Sequence, residues 1–272
     1  MSADDARQAA RAAQSSAWMH ALARGGYAAN GLVHLLIGAL VMSLAVGGRG
    51  EADQSGALRA IADAPWGFVV LWVIAILLGA LAAYHLIEGF VLRSGVNARA
   101  EAKIWGRRLS AWGQAVIFGG LALLAASVAL GARISGDESV EGASRGILSA
   151  PGGPLALAAC GVAILAGGVT FTVIGVRRGF EKKMHIPDGR IGALITGLGI
   201  AGYSAKGLAL AVVGILLIVS AAQTDATVAG GLDAAFDAVR GLAFGPILVA
   251  AIGLGFLAYG VFLFFRARYA RL

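Results

Sequence analysis

Six apolar stretches of more than twenty residues each, separated by short charged segments, constrain this chain more than any other feature. They run over 26–46, 67–92, 109–130, 154–176, 198–221 and 245–265. A helix rises about 1.5 Å per residue, so about 20 apolar residues cross a hydrocarbon core of roughly 30 Å. Only 14% of the residues are charged, against about 25% in a soluble domain, too few to clothe a globular surface. Each stretch is continuously apolar rather than alternating, and lipid admits only backbone that satisfies its own hydrogen bonds, which selects helices. The expected fold is all-α: a polytopic membrane bundle of six transmembrane helices.

The charges between the stretches set an orientation. Lys and Arg number 16 in the N-terminal segment, the second and fourth connections and the tail, against 5 in the other three connections, which also hold nine carboxylates. Positive charge is retained on the cytoplasmic side, so both termini are expected in the cytoplasm of a bacterial plasma membrane. The net charge of +7 is accounted for by that asymmetry, and nucleic acid is not expected as a partner. The bilayer is the expected surroundings, with other membrane-protein subunits or a second copy as candidate partners. Residues 5–23 read as an amphipathic helix on the inner leaflet rather than a secretory signal. Cys160 stands alone in an apolar stretch and reads as a small packing residue.

A repeat organises the whole chain. Gly31 and Gly38, Gly113 and Gly120, and Gly207 and Gly214 are each seven apart in the odd-numbered stretches, and Gly26-Tyr27 matches Gly202-Tyr203. Each acidic-side connection carries a short amphipathic stretch (57–64, 143–150, 230–244), and Pro65, Pro151 and Pro246 mark the start of the even stretches. The unit is helix, half-buried short helix, helix, three times in tandem, all in the same orientation. Its organisation is an N-terminal segment 1–21, repeats at 22–93, 109–180 and 198–272, and basic connections at 94–108 and 181–197. The pattern resembles the bacterial family of membrane proteins called domain of unknown function 1206, described as three tandem two-helix repeats. The residues that carry the resemblance are Ala23-Arg24-Gly25-Gly26-Tyr27, Gly202 to Gly207, Pro65-Trp66-Gly67 and the 84–90 segment. In this register Leu109 takes the place of the tyrosine, and Trp112 that of Asn30 and Lys206. The resemblance implies the fold and brings no activity.

Ionisable groups at membrane depth are costly and mark candidate sites. Asn30 and His34 are four apart on one helical face, His85 and Glu88 three apart on another, and Lys206 lies at similar depth in the fifth stretch. One inner-leaflet polar layer of Asn30, His34, His85, Glu88 and Lys206 follows. Three readings are open: a structural layer in which Lys206 pairs with Glu88, a proton or solute path, and a haem or metal site on His34 and His85. Two isolated histidines are a thin donor set, so no cofactor and no metal is expected. No H-E-x-x-H or P-loop string appears, and enzyme activity is not expected. Two functions remain: a non-catalytic accessory protein docking with a larger membrane complex, or a carrier of a small solute, ion, proton or lipid.

Overall fold

The computed structural model describes residues 17–48, 50–92 and 98–271. These residues form nine α-helices: α1 (Ala17–Ala45), α2 (Gln54–Ala62), α3 (Gly67–Val91), α4 (Ala98–Ala129), α5 (Gly136–Leu148), α6 (Gly153–Val176), α7 (Arg190–Gln223), α8 (Leu232–Arg240) and α9 (Gly245–Tyr269). Single 3-10 turns, Gly179–Lys183 and Ala226–Val228, lie before and after α7. The six long helices α1, α3, α4, α6, α7 and α9 are each long and apolar enough to cross a membrane. Four of them, α1, α4, α7 and α9, run past the expected spans into basic segments, because a bilayer limits apolar length but not helix length. The segment expected to lie on the inner leaflet falls outside the described residues up to position 16, and from Ala17 it is the first turns of α1.

The short helices α2, α5 and α8 stand where the three amphipathic stretches were expected, and they lock together at the acidic face. The Ala52 N–H donates to Asp233 Oδ1 at 2.9 Å, and the Gly231 N–H donates to Asp137 Oδ1 at 2.7 Å. The Gly136 N–H donates to Ser55 Oγ at 3.2 Å, while that hydroxyl donates to Asp53 Oδ1 at 2.6 Å. Each repeat thus accepts an N–H from the start of the next repeat's short helix, and the third returns to the first. This cyclic order is a threefold arrangement expressed in hydrogen bonds. Asp53 also caps α2 by accepting from the Gly56 N–H at 2.9 Å, as an N-cap aspartate does.

Each even span then starts at a glycine, Gly67, Gly153 or Gly245. A side chain there would run into carbonyls of the preceding short helix, at Ala62, Leu148 and Arg240 among others. The chain turns from face to membrane through backbone contact alone.

Close packing in the membrane is mainly between repeats. It joins α6 to α7, α9 to α1 and α3 to α4; within repeats α7 meets α9 and α1 meets α3, but α4 and α6 are not closely packed. Helix association in lipid gains little from apolar burial and depends on close approach of small residues. Gly31 lies against the Gly260 carbonyl and Gly214 against the Gly161 carbonyl and Leu165, with a Cβ on Gly31 meeting Gly260 O at 3.0 Å and one on Gly214 meeting Leu165 N at 2.7 Å. Within repeats, Gly26 seats α1 on Leu77 and Leu81 of α3, and Gly202 seats α7 on Tyr259 of α9.

The second repeat corrects the expected glycine register. Gly113 and Gly120 face open space, whereas Ala115 is buried and Ala122 lies across from Gly79 of α3. The alanines two positions further along do the packing, and the glycine pair looks outward. Half of the apolar stretch of α1 and of α9 is buried, but only 22% of α4's and 17% of α6's. Cys160, expected to pack, is exposed on α6.

Candidate functional site

The five expected polar residues divide into two clusters, joined to residues that were not expected. In the first, the His34 Nδ1–H donates to the Asn30 carbonyl at 2.8 Å, the usual backbone acceptor one turn earlier. That fixes the tautomer with Nε2 unprotonated, and the Lys206 ammonium donates to Nε2 at 3.2 Å. Lys206 also lies 5.0 Å from the Tyr259 ring centroid and 5.5 Å from that of Phe171, so one cation ties α7 to α1, α9 and α6. His34 is stacked on Phe256 and edge-on to Tyr259. The Asn30 side chain is buried, and among the described residues its Oδ1 has no hydrogen-bond partner. The expected Lys206–Glu88 pair does not form: the ammonium is satisfied by an imidazole and two ring faces.

The second cluster is a chain of hydrogen bonds. Arg266 donates from Nη2 to Tyr27 Oη at 3.4 Å and from Nη1 to Tyr203 Oη at 3.0 Å. Tyr27 Oη is 3.3 Å from His85 Nε2, and His85 Nδ1 is 3.0 Å from Glu88 Oε2. With the Nδ1–H donating to the carboxylate, Nε2 is free to accept from the Tyr27 hydroxyl. The sequence Arg266, Tyr27, His85, Glu88 therefore connects a cation to an anion through two neutral groups. The Arg266 guanidinium also lies over the Tyr27 ring, 4.5 Å from its centroid, and His85 stacks on Phe118 at 5.6 Å.

From the sequence, Arg266 counts as one of the tail's orienting charges, because the apolar stretch stops at Phe265. α9 continues to Tyr269 and turns Arg266 inward. The available signal was the pair of Gly-Tyr steps at matched depth, which supply both phenols that receive it.

This second cluster opens into a cleft of about 180 Å³ on the basic face, lined among others by Tyr84, His85, Glu88, Arg107, Lys183 and Arg266. An antiparallel bridge, Met184 with Ala270, shapes one wall. The His185 N–H donates to the Tyr269 carbonyl at 2.8 Å and the Arg271 N–H to the Lys183 carbonyl at 3.0 Å. Desolvation of the Lys183 ammonium, and next the charge of Arg266, hold it below the usual lysine range.

Other polar side chains in the spans bond locally: Gln114, Thr170 and Thr172 each donate to a carbonyl one turn earlier. A G-x-S-x-G string, Gly142 to Gly146, lies wholly within α5, and its Ser144 is buried. A nucleophile elbow needs an exposed serine at a strand-to-helix turn, and this helix provides neither. Among the described residues no three His, Cys, Asp or Glu side chains come together as a metal-holding group.

Fold and site together define a multi-pass membrane bundle of three tandem two-helix repeats. The chain belongs to the family described as Domain of Unknown Function (DUF1206), whose model matches it three times, over residues 25–91, 109–178 and 201–270. An uncharacterized protein of Bacillus subtilis (strain 168), YxxB, is 24% identical over 259 residues, covering 94% of this chain and 93% of that one. No solved structure matches the chain. The first residues of the three matches align Gly31 and Gly207 with Ala115, and Gly26 and Gly202 with Ser110. Ser110 is exposed. The repeat without the crossing glycine is the one whose two long helices stand apart.

Proposed function

We propose that this chain is a non-catalytic accessory protein of a bacterial plasma membrane, with both termini cytoplasmic, which docks its second repeat against a membrane-spanning helix of another protein. The observation that carries this reading is the contrast between the repeats. In the first and third, small residues seat a helix of the same chain; in the second, Gly106, Gly113 and Gly120 of α4 look into open space and α6 stands off. Leu109, Val116, Ile117 and Leu123 are exposed around that glycine row, which leaves a groove of the kind that accepts a ridge from another helix. The polar layer supports the same reading, since Lys206, His34 and His85 are engaged with neighbouring helices and Glu88 with His85 of its own helix. The bias of basic residues supports the orientation, and the bacterial relative supports the source.

Photo-crosslinking in cells tests the docking. A crosslinker at Gly113 or Gly120 is expected to give one product of fixed mass, and a crosslinker at exposed Leu254 of α9 is not. Gly120→Leu should abolish the product while leaving thermal stability unchanged. Products of twice the chain's mass, or equal products from all three positions, would overturn docking to another protein. Loss of a solute flux in Glu88→Gln proteoliposomes with the fold intact would instead assign transport.

A further inference from the structure

The cleft on the basic face carries more cation than the fold needs. Arg107 from α4, Lys182 and Lys183 from the 3-10 turn, Arg266 from α9 and Arg271 beyond it converge on a space that also holds one carboxylate, Glu88. Glu88 is already engaged by the His85 Nδ1–H. Among the described residues, none of the five cations has a carboxylate within ion-pair distance. An orienting charge needs only to be on the correct side of the membrane, and it can be dispersed. These five come from three separate parts of the chain, and two of them, Lys183 and Arg271, are fixed on the wall by the Lys183–Arg271 backbone bond and the Met184–Ala270 bridge.

We propose that this cleft binds a phosphate-bearing anion, with Arg266 at its floor and Arg107, Lys182, Lys183 and Arg271 around its mouth. Guanidinium groups match the oxygens of phosphate in pairs, and lysines add point charge. A monovalent carboxylate would leave most of that charge unmatched. The volume of about 180 Å³ suits a group of phosphate size rather than a drug-sized ligand, whose pockets run to about 300–1,000 Å³. Lys183 is held below the usual lysine range by desolvation and then by the positive charge of Arg266, and an incoming anion would offset that charge. The chemistry is shared by two sources: the headgroup of an anionic phospholipid reaching in from the adjacent leaflet, and phosphate from the aqueous phase. The inference is independent of the docking surface on α4.

The test uses the full chain purified in an uncharged detergent, beside the double variant Lys183→Gln/Arg271→Gln, whose substitutions are at the mouth of the cleft. Inorganic phosphate is titrated against thermal unfolding, with chloride at matched ionic strength as control. Phosphatidylglycerol retention from mixed phosphatidylglycerol and phosphatidylcholine bilayers is measured by native mass spectrometry. A phosphate-specific upward shift that weakens about tenfold in the variant establishes the aqueous source. No phosphate shift, but selective phosphatidylglycerol retention lost in the variant, establishes the lipid source. If neither ligand is preferred over its control, or if the variant, folded and equally stable, binds as the wild type does, the proposal is overturned.

Discussion

Lys206 Nζ stands 3.2 Å from His34 Nε2, across 172 positions of chain, with no carboxylate in the contact. The imidazole can accept because its other nitrogen already donates to the Asn30 carbonyl. An ammonium in an apolar bundle is thus held by one lone pair and two aromatic faces, an arrangement that links all three repeats through α1, α6, α7 and α9.

Removing both partners together should therefore cost less than the two single removals added. Lys206→Met leaves the buried Nε2 unsatisfied and is expected to lower unfolding stability by about 1–2 kcal/mol. His34→Phe leaves the ammonium without its acceptor and should cost at least as much. The double variant His34→Phe/Lys206→Met should be less destabilised than the sum of the singles, since well-packed apolar groups can replace a buried polar pair. Denaturant unfolding in detergent measures the cycle, and strict additivity would mean the contact contributes nothing.

The glycine rows make an opposite pair of predictions on helices of the same kind. A Cβ at Gly214 would meet Leu165 N at 2.7 Å and the Gly161 carbonyl at 2.8 Å, both backbone atoms that cannot step aside alone. Gly214→Ala should force α6 and α7 apart and cost about 1–3 kcal/mol, as overpacking does. Gly113→Ala meets nothing and should stay within about 0.5 kcal/mol of the wild type in isolated protein, as surface substitutions do. Equal losses at the two sites would contradict the register found for the second repeat.

How far the sequence reached follows from which physical signals are local. The six spans were legible because hydrophobic length is a property of a segment. The short helices were legible because Leu232, Phe236, Val239 and Leu242 recur at helical spacing and Pro246 marks the next start, although the helix stops at Arg240 and leaves Leu242 exposed. Pairing between repeats was not legible, because Gly31 and Gly260 meet only after folding. The seven-residue spacing of Gly113 and Gly120 misled for the same reason. Spacing identifies a face but not what it touches, and alanine at 115 and 122 serves the close approach nearly as well as glycine. The polar residues are legible one by one, but the pairing of Lys206 with Glu88, in one of the three open readings, rests on charge alone. Arg266 was missed because a cation at the end of an apolar stretch has the same signature whether it orients the helix or enters the bundle.

The interlocked aspartates predict an unusual pH dependence. Partial burial raises the carboxyl pKa of both Asp137 and Asp233, with neighbouring aspartates adding to the shift. A carboxyl whose folded pKa lies above its unfolded value binds more protons in the folded state, so its contribution is present in acid and lost as pH rises through the folded pKa. Thermal stability should therefore rise as pH is lowered from neutrality toward the ordinary carboxylate range. Asp137→Asn/Asp233→Asn should flatten that slope while retaining side-chain acceptors for Gly231 and Ala52. A slope of the opposite sign, or one unchanged in the double variant, would show that these carboxyls do not govern it.

Orientation is open to a direct measurement at Lys182, which is exposed on the basic face. An impermeant amine reagent should leave it unmodified in intact cells and label it in inverted vesicles, with labelling read by peptide mass spectrometry. Labelling in intact cells would reverse the orientation and place the phosphate cleft outside.

Tyr27 performs two separable jobs, and a graded series distinguishes them. Its hydroxyl bridges Arg266 and His85, at 3.4 Å and 3.3 Å, while its ring lies 4.5 Å from the guanidinium carbon. Tyr27→Phe keeps the ring and removes the bridge, which strands the His85 Nε2 lone pair, and should cost about 1–2 kcal/mol. Tyr27→Leu removes the aromatic face as well and should cost a further 1 kcal/mol or so, the scale of a partly desolvated cation–ring contact. The order wild type, Phe, Leu in unfolding midpoint follows if Arg266 is held at the floor of the cleft by both interactions. A Phe variant as stable as the wild type would leave the ring alone as the anchor, and would make the hydrogen-bonded route from Arg266 to Glu88 dispensable for folding.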